Sequence, residues 1–409
     1  MLSSNPSSTT TAQKRLVRGS RPRLGLGPLL GRLFRSSSRP FLGPLFRPLF
    51  SIVFVLGVLL IAAAYLEFRF RDLAPRTQRT LVVERGMRSI DIVEHAQSRA
   101  LAPARLSWVF ARMHFGSSVF KAGVYDLVPG SSLYQLLLAM QSDQGRKLYW
   151  QVLEGQTLDQ VRLGVQGLPF LRKEVEALST PELLERLRAH SEGAAPTPHG
   201  EAEQADTLRR FVETHRLDFL EGLLYPDRYR YVPGMTDLEL LASARKRQLL
   251  LLAQTWDRRP EDYPLHSARD LLALASLIEK ETGRAEDRQR VAAVFLNRIR
   301  LGMRLQSDPT VIYGQSQRDP RAPITRSELK TDHPFNTYTR FGLPPTPIAI
   351  PGVASLDAAV TPSAERSLYF VARGDGSSEF SETLKAHNAA VERYLRVPKR
   401  SANDVGQRL

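Results

Sequence analysis

Eighteen consecutive residues without a charge, "LFSIVFVLGVLLIAAAYL" from Leu49 to Leu66, constrain this chain more than any other stretch. At ~1.5 Å rise per residue a helix of that length runs about 27 Å, close to the hydrocarbon thickness of a bilayer. Pro48 stands at its start, and Glu67, Arg69 and Arg71 follow it. The segment predicts one transmembrane helix, with the rest of the chain on one side of a membrane. A cleavable signal peptide is the first alternative, because "AAAYLEF" offers small residues; signal cores are usually shorter. A buried core helix is the second, and the polar segment ahead of it argues against that.

The first 48 residues carry Lys14 and eight arginines, with no acid. Under the positive-inside rule this tail stays in the cytoplasm and the body of the chain lies beyond a plasma (inner) membrane. Its "SSNPSSTTT" and "RSSSRP" composition predicts disorder, and its arginines suit anionic headgroups. The net charge is +15, so 15 − 9 leaves only +6 for all the rest. The basic balance thus describes a tail, and no nucleic-acid partner is expected for the body. A tail that binds cytoplasmic nucleic acid is the weakest of the rival readings. There is no cysteine, which excludes disulfides, thiolate chemistry and cysteine-based zinc sites. The eight histidines show neither HxxxH nor HxH spacing, so no metal or other cofactor is expected.

After Thr80 one pattern recurs. "LVVERGMRSIDIV", "GVYDLVPGSSLYQLL" and "LYWQVLEGQTLDQV" each run from a β-type stretch through a glycine turn into a helical pattern. Ser89, Ser131 or Ser132, and Thr157 are the candidate N-caps. The plain expectation is α/β supersecondary structure. The sharper one is a small glycan-binding module, since the arrangement is similar to LysM domains; Tyr125, Tyr149 and Trp150 would stack on sugars if exposed. The stretch "HSEGAAPTPHGEAEQAD" lacks periodicity and predicts a surface loop or insertion.

Further along, "DLLALASLIEKETG" reads as a helix apolar on nearly every side, which means a buried one. Glu279 and Glu281 close it. At ~100° per residue they point ~200° apart, so they form no carboxylate dyad. Burial and the negative end of the helix dipole both oppose ionisation, which would raise either pKa and suit a general acid. The plain alternative is a salt bridge to Lys280, Arg284 or Arg288. "AEDRQRVAAVFLNRIRLG" predicts a second helix, with Val291, Val294, Phe295 and Ile299 on one face and Gly302 ending it. "HPFNTYTRFGLPPTPIAIPG" predicts a long polar and aromatic loop of the kind that carries function.

At these residues the chain resembles the membrane-bound endolytic murein transglycosylases, the YceG-like or MltG proteins of bacteria. The likeness lies in "LASLIEKETG", "VAAVFLNRIRLGMRLQSDPTVIYG", "NTYTRFGLPPTPIAIPG" and "LKAHNAAVERY". It is dense from about Leu220 to Tyr394 and looser before. The resemblance implies cleavage between MurNAc and GlcNAc inside peptidoglycan glycan strands, leaving 1,6-anhydro-MurNAc ends. It also implies work beside peptidoglycan synthases. By motif position it assigns Glu279 as the catalytic acid, then base, and nominates Glu221, Gln306, Asn336 and Tyr338 for sugar positioning. For each of these four, a structural hydrogen bond is the equal alternative. Glu281 is expected to pair with an arginine or to tune its neighbour. A non-catalytic peptidoglycan-binding scaffold with the same fold is the rival function.

The expected fold is α+β. It comprises a basic tail (1–48), a transmembrane helix (49–66), a LysM-like mixed module (75–165), a variable helical or loop insertion (166–215) and a helix-rich catalytic domain with a few strands (216–400).

Overall fold

The structure, a computed structural model, describes residues 46–73, 79–97, 102–116, 120–191, 201–315 and 322–395. The expected disordered tail therefore lies almost wholly outside the described residues. The chain divides after Ala63 into two compact units. In the first, helix α1 (Phe46–Phe70) begins, and its apolar side chains from Leu49 to Ile61 are exposed. The stretch Pro48–Phe70 is long and apolar enough to cross a membrane, and its most apolar 18 residues have a mean hydropathy of 2.7.

The second unit contains three hydrophobic cores. The first gathers the last turns of α1, β1 (Arg79–Val83), α2 (Ser89–Ala96), α3 (Ala104–Phe115), β2 (Gly123–Leu127) and α4 (Leu133–Gln141). Phe68 is fully buried there against Phe110 and Tyr134. β1 and β2 pair antiparallel, with Leu81 opposite Tyr125. Ser132 caps α4 in a reciprocal box with Gln135. Ser89 is no cap: the N-cap is Arg88, whose guanidinium grips Asp91 instead.

The second core holds β3 (Leu148–Gln151), α5 (Leu158–Gln166), α6 (Thr180–Ser191), β4 (Arg228–Tyr231) and the first half of α8 (Asp237–Asp257). Helix α7 (Glu201–Thr214) precedes β4 and packs on α8. Of the stretch expected to be a loop, residues 190–191 instead end α6 and residues 201–206 begin α7; the rest, 192–200, lies outside the described residues. Thr157 caps α5 in a box with Gln160. The glycines of the three repeat turns, Gly86, Gly130 and Gly155, have φ of +85°, +90° and +76°, which a side chain would disfavour. β3 pairs with β4, not with β1 or β2, so the repeats are divided between two cores. The sugar-stacking aromatics also need correction. Tyr125 and Trp150 are each only 3% exposed, because strand side chains alternate and these two face inward. Tyr149 alone is exposed, under the guanidinium of Arg228.

The third core is helical. It packs α9 (Ala268–Glu281) against α10 (Ala285–Arg300) and α13 (Val353–Val360), with parts of α7 and α8. Every residue of α9 from Leu271 to Ile278 is buried, as the all-round apolar pattern requires. Gly302 (φ +63°) follows the end of α10. Two short helices, α11 (Asp308–Gly314) and α12 (Arg326–Lys330), lie before α13. Behind it the antiparallel hairpin of β5 (Tyr369–Ala372) and β6 (Ser378–Ser381) carries α14 (Leu384–Leu395) on its surface. The fold is thus α+β and helix-rich, with three two-stranded sheets among the described residues.

Candidate active site

The last turn of α9 sends its two glutamates in opposite directions. Glu279 Oε2 accepts hydrogen bonds from Gly352 N–H at 3.0 Å and from the buried Ser355 hydroxyl at 2.7 Å. Gly352 is the N-cap residue of α13, so this carboxylate sits on a helix N-terminus, a favourable place for an anion. Glu154, from the turn after β3, lies against the same glycine. A Cβ on Gly352 would collide with Glu154 Oε1, so only glycine fits while that carboxylate stays there. Burial and the neighbouring Glu279 push the Glu154 carboxyl up. Between the glutamates, Lys280 reaches the Gly155 carbonyl at 3.2 Å.

Glu281 faces a different space, a cleft of about 420 Å³. Its walls include Arg298 from α10, Gln306 and Asp308, Tyr338, Tyr369 from β5 and His387 from α14. Glu281 Oε1 accepts from the Ser307 hydroxyl at 2.6 Å rather than from an arginine. Burial drives its pKa up to about 7; the Ser307 bond and Arg298 pull it down, and Asp308 pushes it further up. Arg298 is itself buried and spends its donors on the carbonyls of Leu305 (2.6 Å) and Leu368 (2.7 Å). It therefore braces the cleft wall without forming an ion pair with Glu281.

The segment "NTYTR" divides its work. Asn336 is buried; its amide donates to the carbonyls of Glu328, Leu329 and Thr331, and its Oδ1 accepts from Tyr338 N–H at 2.9 Å. The Thr337 hydroxyl accepts from Ser307 N–H at 3.0 Å. Tyr338 lines the cleft, and its phenol donates to Asp308 Oδ1 at 2.5 Å. Burial, then that bond, raise the phenol's pKa. Gln306 holds a left-handed backbone (φ +50°), uncommon for a side-chain-bearing residue, and its N–H donates to the Thr337 carbonyl at 3.2 Å. Its side chain is exposed on the cleft rim.

Glu221 lines a second cleft of about 400 Å³, with Asp159, Phe219 and Tyr313. Both its oxygens accept from Leu158 N–H, at 3.0 and 3.1 Å, and Oε2 also accepts from the Tyr313 phenol at 3.0 Å. It is 7% exposed, and burial lifts its pKa to about 7. Asp308 and Tyr313 belong to the same helix, α11, which thus connects the two clefts.

Of the residues singled out from the sequence, Gln306 and Tyr338 share a cleft with Glu281. Glu279 points elsewhere, Glu221 lines the other cleft, and Asn336 is committed to loop carbonyls. Ser307, Asp308, Arg298, Tyr369 and His387 were not singled out. The first two directly follow Gln306 in "QSDPT", and His387 stands in "LKAHN", so the motifs contained them without marking their roles. Among the described residues, no group of three or more side chains is arranged to hold a metal ion.

The chain is similar to known proteins over most of its length. An endolytic murein transglycosylase of Bacillus subtilis is 33% identical over 284 residues, covering 68% of this chain and 74% of the relative. One of Streptococcus pneumoniae is 26% identical over 332 residues, covering 77% of this chain; the chain spans 58% of that relative's length. A crystal structure of a YceG-like protein from Listeria monocytogenes is 27% identical, covers 76% of this chain and 98% of its own, and superposes with a TM-score of 0.49. The YceG-like family model matches residues 81–393, which takes in both clefts, the second and third cores and all of the first but its α1 residues, and the chain belongs to that family.

Proposed function

We propose that this protein is a membrane-anchored lytic transglycosylase that cuts peptidoglycan glycan strands internally, between MurNAc and GlcNAc. The named activity of the Bacillus and Streptococcus relatives supports the substrate class. The observation that carries the chemistry is Glu281. Its half-buried carboxyl, with a pKa pushed up to about 7, opens into a cleft with Gln306, Asp308 and Tyr338. A group poised near working pH can both give and take a proton. We therefore assign the acid–base role to Glu281, and give Glu279 the task of tying α9 to the start of α13.

Ordinary glycosidases need two carboxyl groups, because one must activate water or attack the sugar. Here the nucleophile is the sugar's own C6 hydroxyl. Glu281 donates its proton to the glycosidic oxygen as the C1–O bond breaks, releasing the GlcNAc-side chain. The resulting carboxylate takes the proton of the C6 hydroxyl as its oxygen bonds to C1. The product is 1,6-anhydro-MurNAc, no water is consumed, and Glu281 ends protonated again. Asp308, beside the reacting sugar, would stabilise the positive charge that develops on the ring.

The apolar helix and the basic tail before it support a single-pass anchor in the plasma (inner) membrane, with the tail cytoplasmic and the clefts outside. There the enzyme would act beside the synthases that lay down its substrate. The test is digestion of purified, uncrosslinked glycan strands, with mass spectrometry of the products. Wild type and Glu279→Gln should yield anhydro ends, and Glu281→Gln should not. Anhydro ends from Glu281→Gln but not from Glu279→Gln would return the role to Glu279. Reducing ends from the wild type would make the protein a hydrolase.

A further inference from the structure

The anchor helix leaves a neighbouring apolar surface unexplained. In the first core the last turns of α1 pack against α3. Tyr65, still inside the charge-free run, stands edge-on to Phe110 with ring centroids 5.3 Å apart. Its hydroxyl shares a hydrogen bond with His114 Nε2 at 3.1 Å. Phe68, nearly one turn on, meets the same two rings. Glu67, the first charge after the run, accepts from Ala102 N–H at 2.7 Å. Helix α3 therefore lies at the level where the apolar run ends. The turn before α4 lies further along: Gly130 N–H donates to Asp72 Oδ2 at 2.7 Å, and Leu73 N–H to the Ser131 carbonyl at 2.8 Å.

Helix α3 buries Ser107, Phe110, Ala111 and Phe115. Its other side carries Arg105, Val109, Arg112 and Met113, whose spacing puts them on one face. All four are exposed, Met113 by 76%. On α1, Leu66 and Phe70 are exposed as well. Neither Arg105 nor Arg112 pairs with a carboxylate among the described residues. A lone exposed apolar side chain is ordinary in water. Here two of them alternate with two arginines, at the height of a membrane surface. That is the pattern of a helix lying in a bilayer interface. An arginine there can lay its stem along the acyl chains and keep its guanidinium among phosphates.

We propose that the outer face of α3 rests on the bilayer, with Val109 and Met113 at the acyl-chain boundary and Arg105 and Arg112 on the headgroup phosphates. This second contact restricts rotation of the first core about the α1 axis. The proposal rests on the reading of α1 as a membrane anchor, and the experiment tells the two apart. The chain has no cysteine, so one introduced thiol can be labelled in the full-length protein. Phe54→Cys, Val109→Cys, Met113→Cys, Val128→Cys and Leu163→Cys each replace an exposed side chain. Each receives a nitrobenzoxadiazole dye and is reconstituted into vesicles of phosphatidylcholine and phosphatidylglycerol. A second set of vesicles contains a phospholipid with a nitroxide on its acyl chain.

At 109 and 113 the emission should shift to the blue and be quenched by the nitroxide lipid, as at 54 inside α1. At 128, beside the turn that meets Asp72, and at 163 on α5 it should stay as in water. Emission at 109 and 113 that matches 128 and 163, with 54 quenched, overturns this proposal alone. If the Met113 variant does not fold, Val109 decides on the same criterion. An unquenched label at 54 overturns the anchor reading, and this proposal with it. Oxidative cross-linking of unlabelled Met113→Cys into a dimer, with no quenching at 109, would assign the face to a second copy of the chain and overturn the lipid contact.

Discussion

Glu221 is buried and Glu281 half-buried, yet the pKa of each is driven to about 7, and each lines a cleft of similar size. By titration alone they are twins. They differ in what their oxygens do. Glu221 uses both oxygens on Leu158 N–H and adds Tyr313, so it stitches the start of α5 to α11. Glu281 has a single bond, from Ser307, and turns its remaining capacity to the cleft. A raised pKa reports burial; uncommitted oxygen atoms in a cleft report the ability to react. The largest expected effect tests this difference. Glu281→Gln should lower kcat by about 10²- to 10⁴-fold, the usual worth of a general acid–base group. Glu221→Gln should leave kcat within about tenfold of wild type. A collapse of kcat in the Glu221 variant, with the fold intact by circular dichroism, would break the comparison.

The backbone around Glu221 should be the more fragile. Gly222 has φ +75°, and a Cβ there would sit 2.7 Å from Pro347 Cβ and 3.2 Å from the Ala349 carbonyl oxygen. Neither neighbour is the far end of a flexible side chain. Gly222→Ala should cost about 4 kcal/mol, combining left-handed strain with overpacking, read from denaturant unfolding. Gly352→Ala makes a useful contrast. The atom it would strike belongs to the tip of Glu154, which can swing away, so its cost should be well below that of Gly222→Ala.

The two carboxyls can also be separated by pH. Each has a native pKa raised from 4.5 to about 7, so the native state binds more protons than the unfolded chain between those values. The stabilisation is fully present below pH 4.5 and is lost as pH rises through about 7. Removing the Glu221 titration should therefore flatten the fall in stability between about pH 5 and pH 8, by on the order of 3 kcal/mol. The rate should behave differently. It should fall above about pH 7 as Glu281 loses its proton, and that limb should survive in Glu221→Gln. Loss of the limb in the Glu221 variant would mean that the cleft residue has been misassigned.

How much of this was legible in the sequence follows from distance along the chain. Charge-free runs, N-caps and turn glycines are local, so the apolar helix, the Thr157 cap, a cap at Ser131 or Ser132 and the buried α9 could all be read, though Ser89 was no cap. The helical repeat also required that Glu279 and Glu281 diverge. That Glu281 meets this cleft was not readable, because the cleft is assembled from α9, α10, α11, β5 and α14. Tyr125 and Trp150 failed as exposed aromatics for a related reason: strand alternation says that neighbours face opposite ways, and only the partner sheet and core decide which face is buried. Asn336 shows the limit of motif position, since its polar atoms are all used to hold the loop that presents Tyr338.

The smallest expected effects come from a matched pair of tyrosines. Tyr313 donates to Glu221, and Tyr338 donates to Asp308 beside Glu281. Changing either to Phe removes one hydroxyl and keeps the ring. At Tyr313 the loss falls on a bond internal to the fold, so Tyr313→Phe should cost about 1 kcal/mol of stability and leave kcat unchanged. At Tyr338 the freed Asp308 carboxylate stands in the cleft and can turn to water, so stability should change little. There the loss should appear as about a fivefold fall in kcat/KM, because Asp308 is no longer held in the direction that faces the sugar. Unfolding curves and glycan-strand kinetics on the two variants test both sides of the comparison. The two clefts have distinct tasks only if stability moves with Tyr313 and turnover moves with Tyr338.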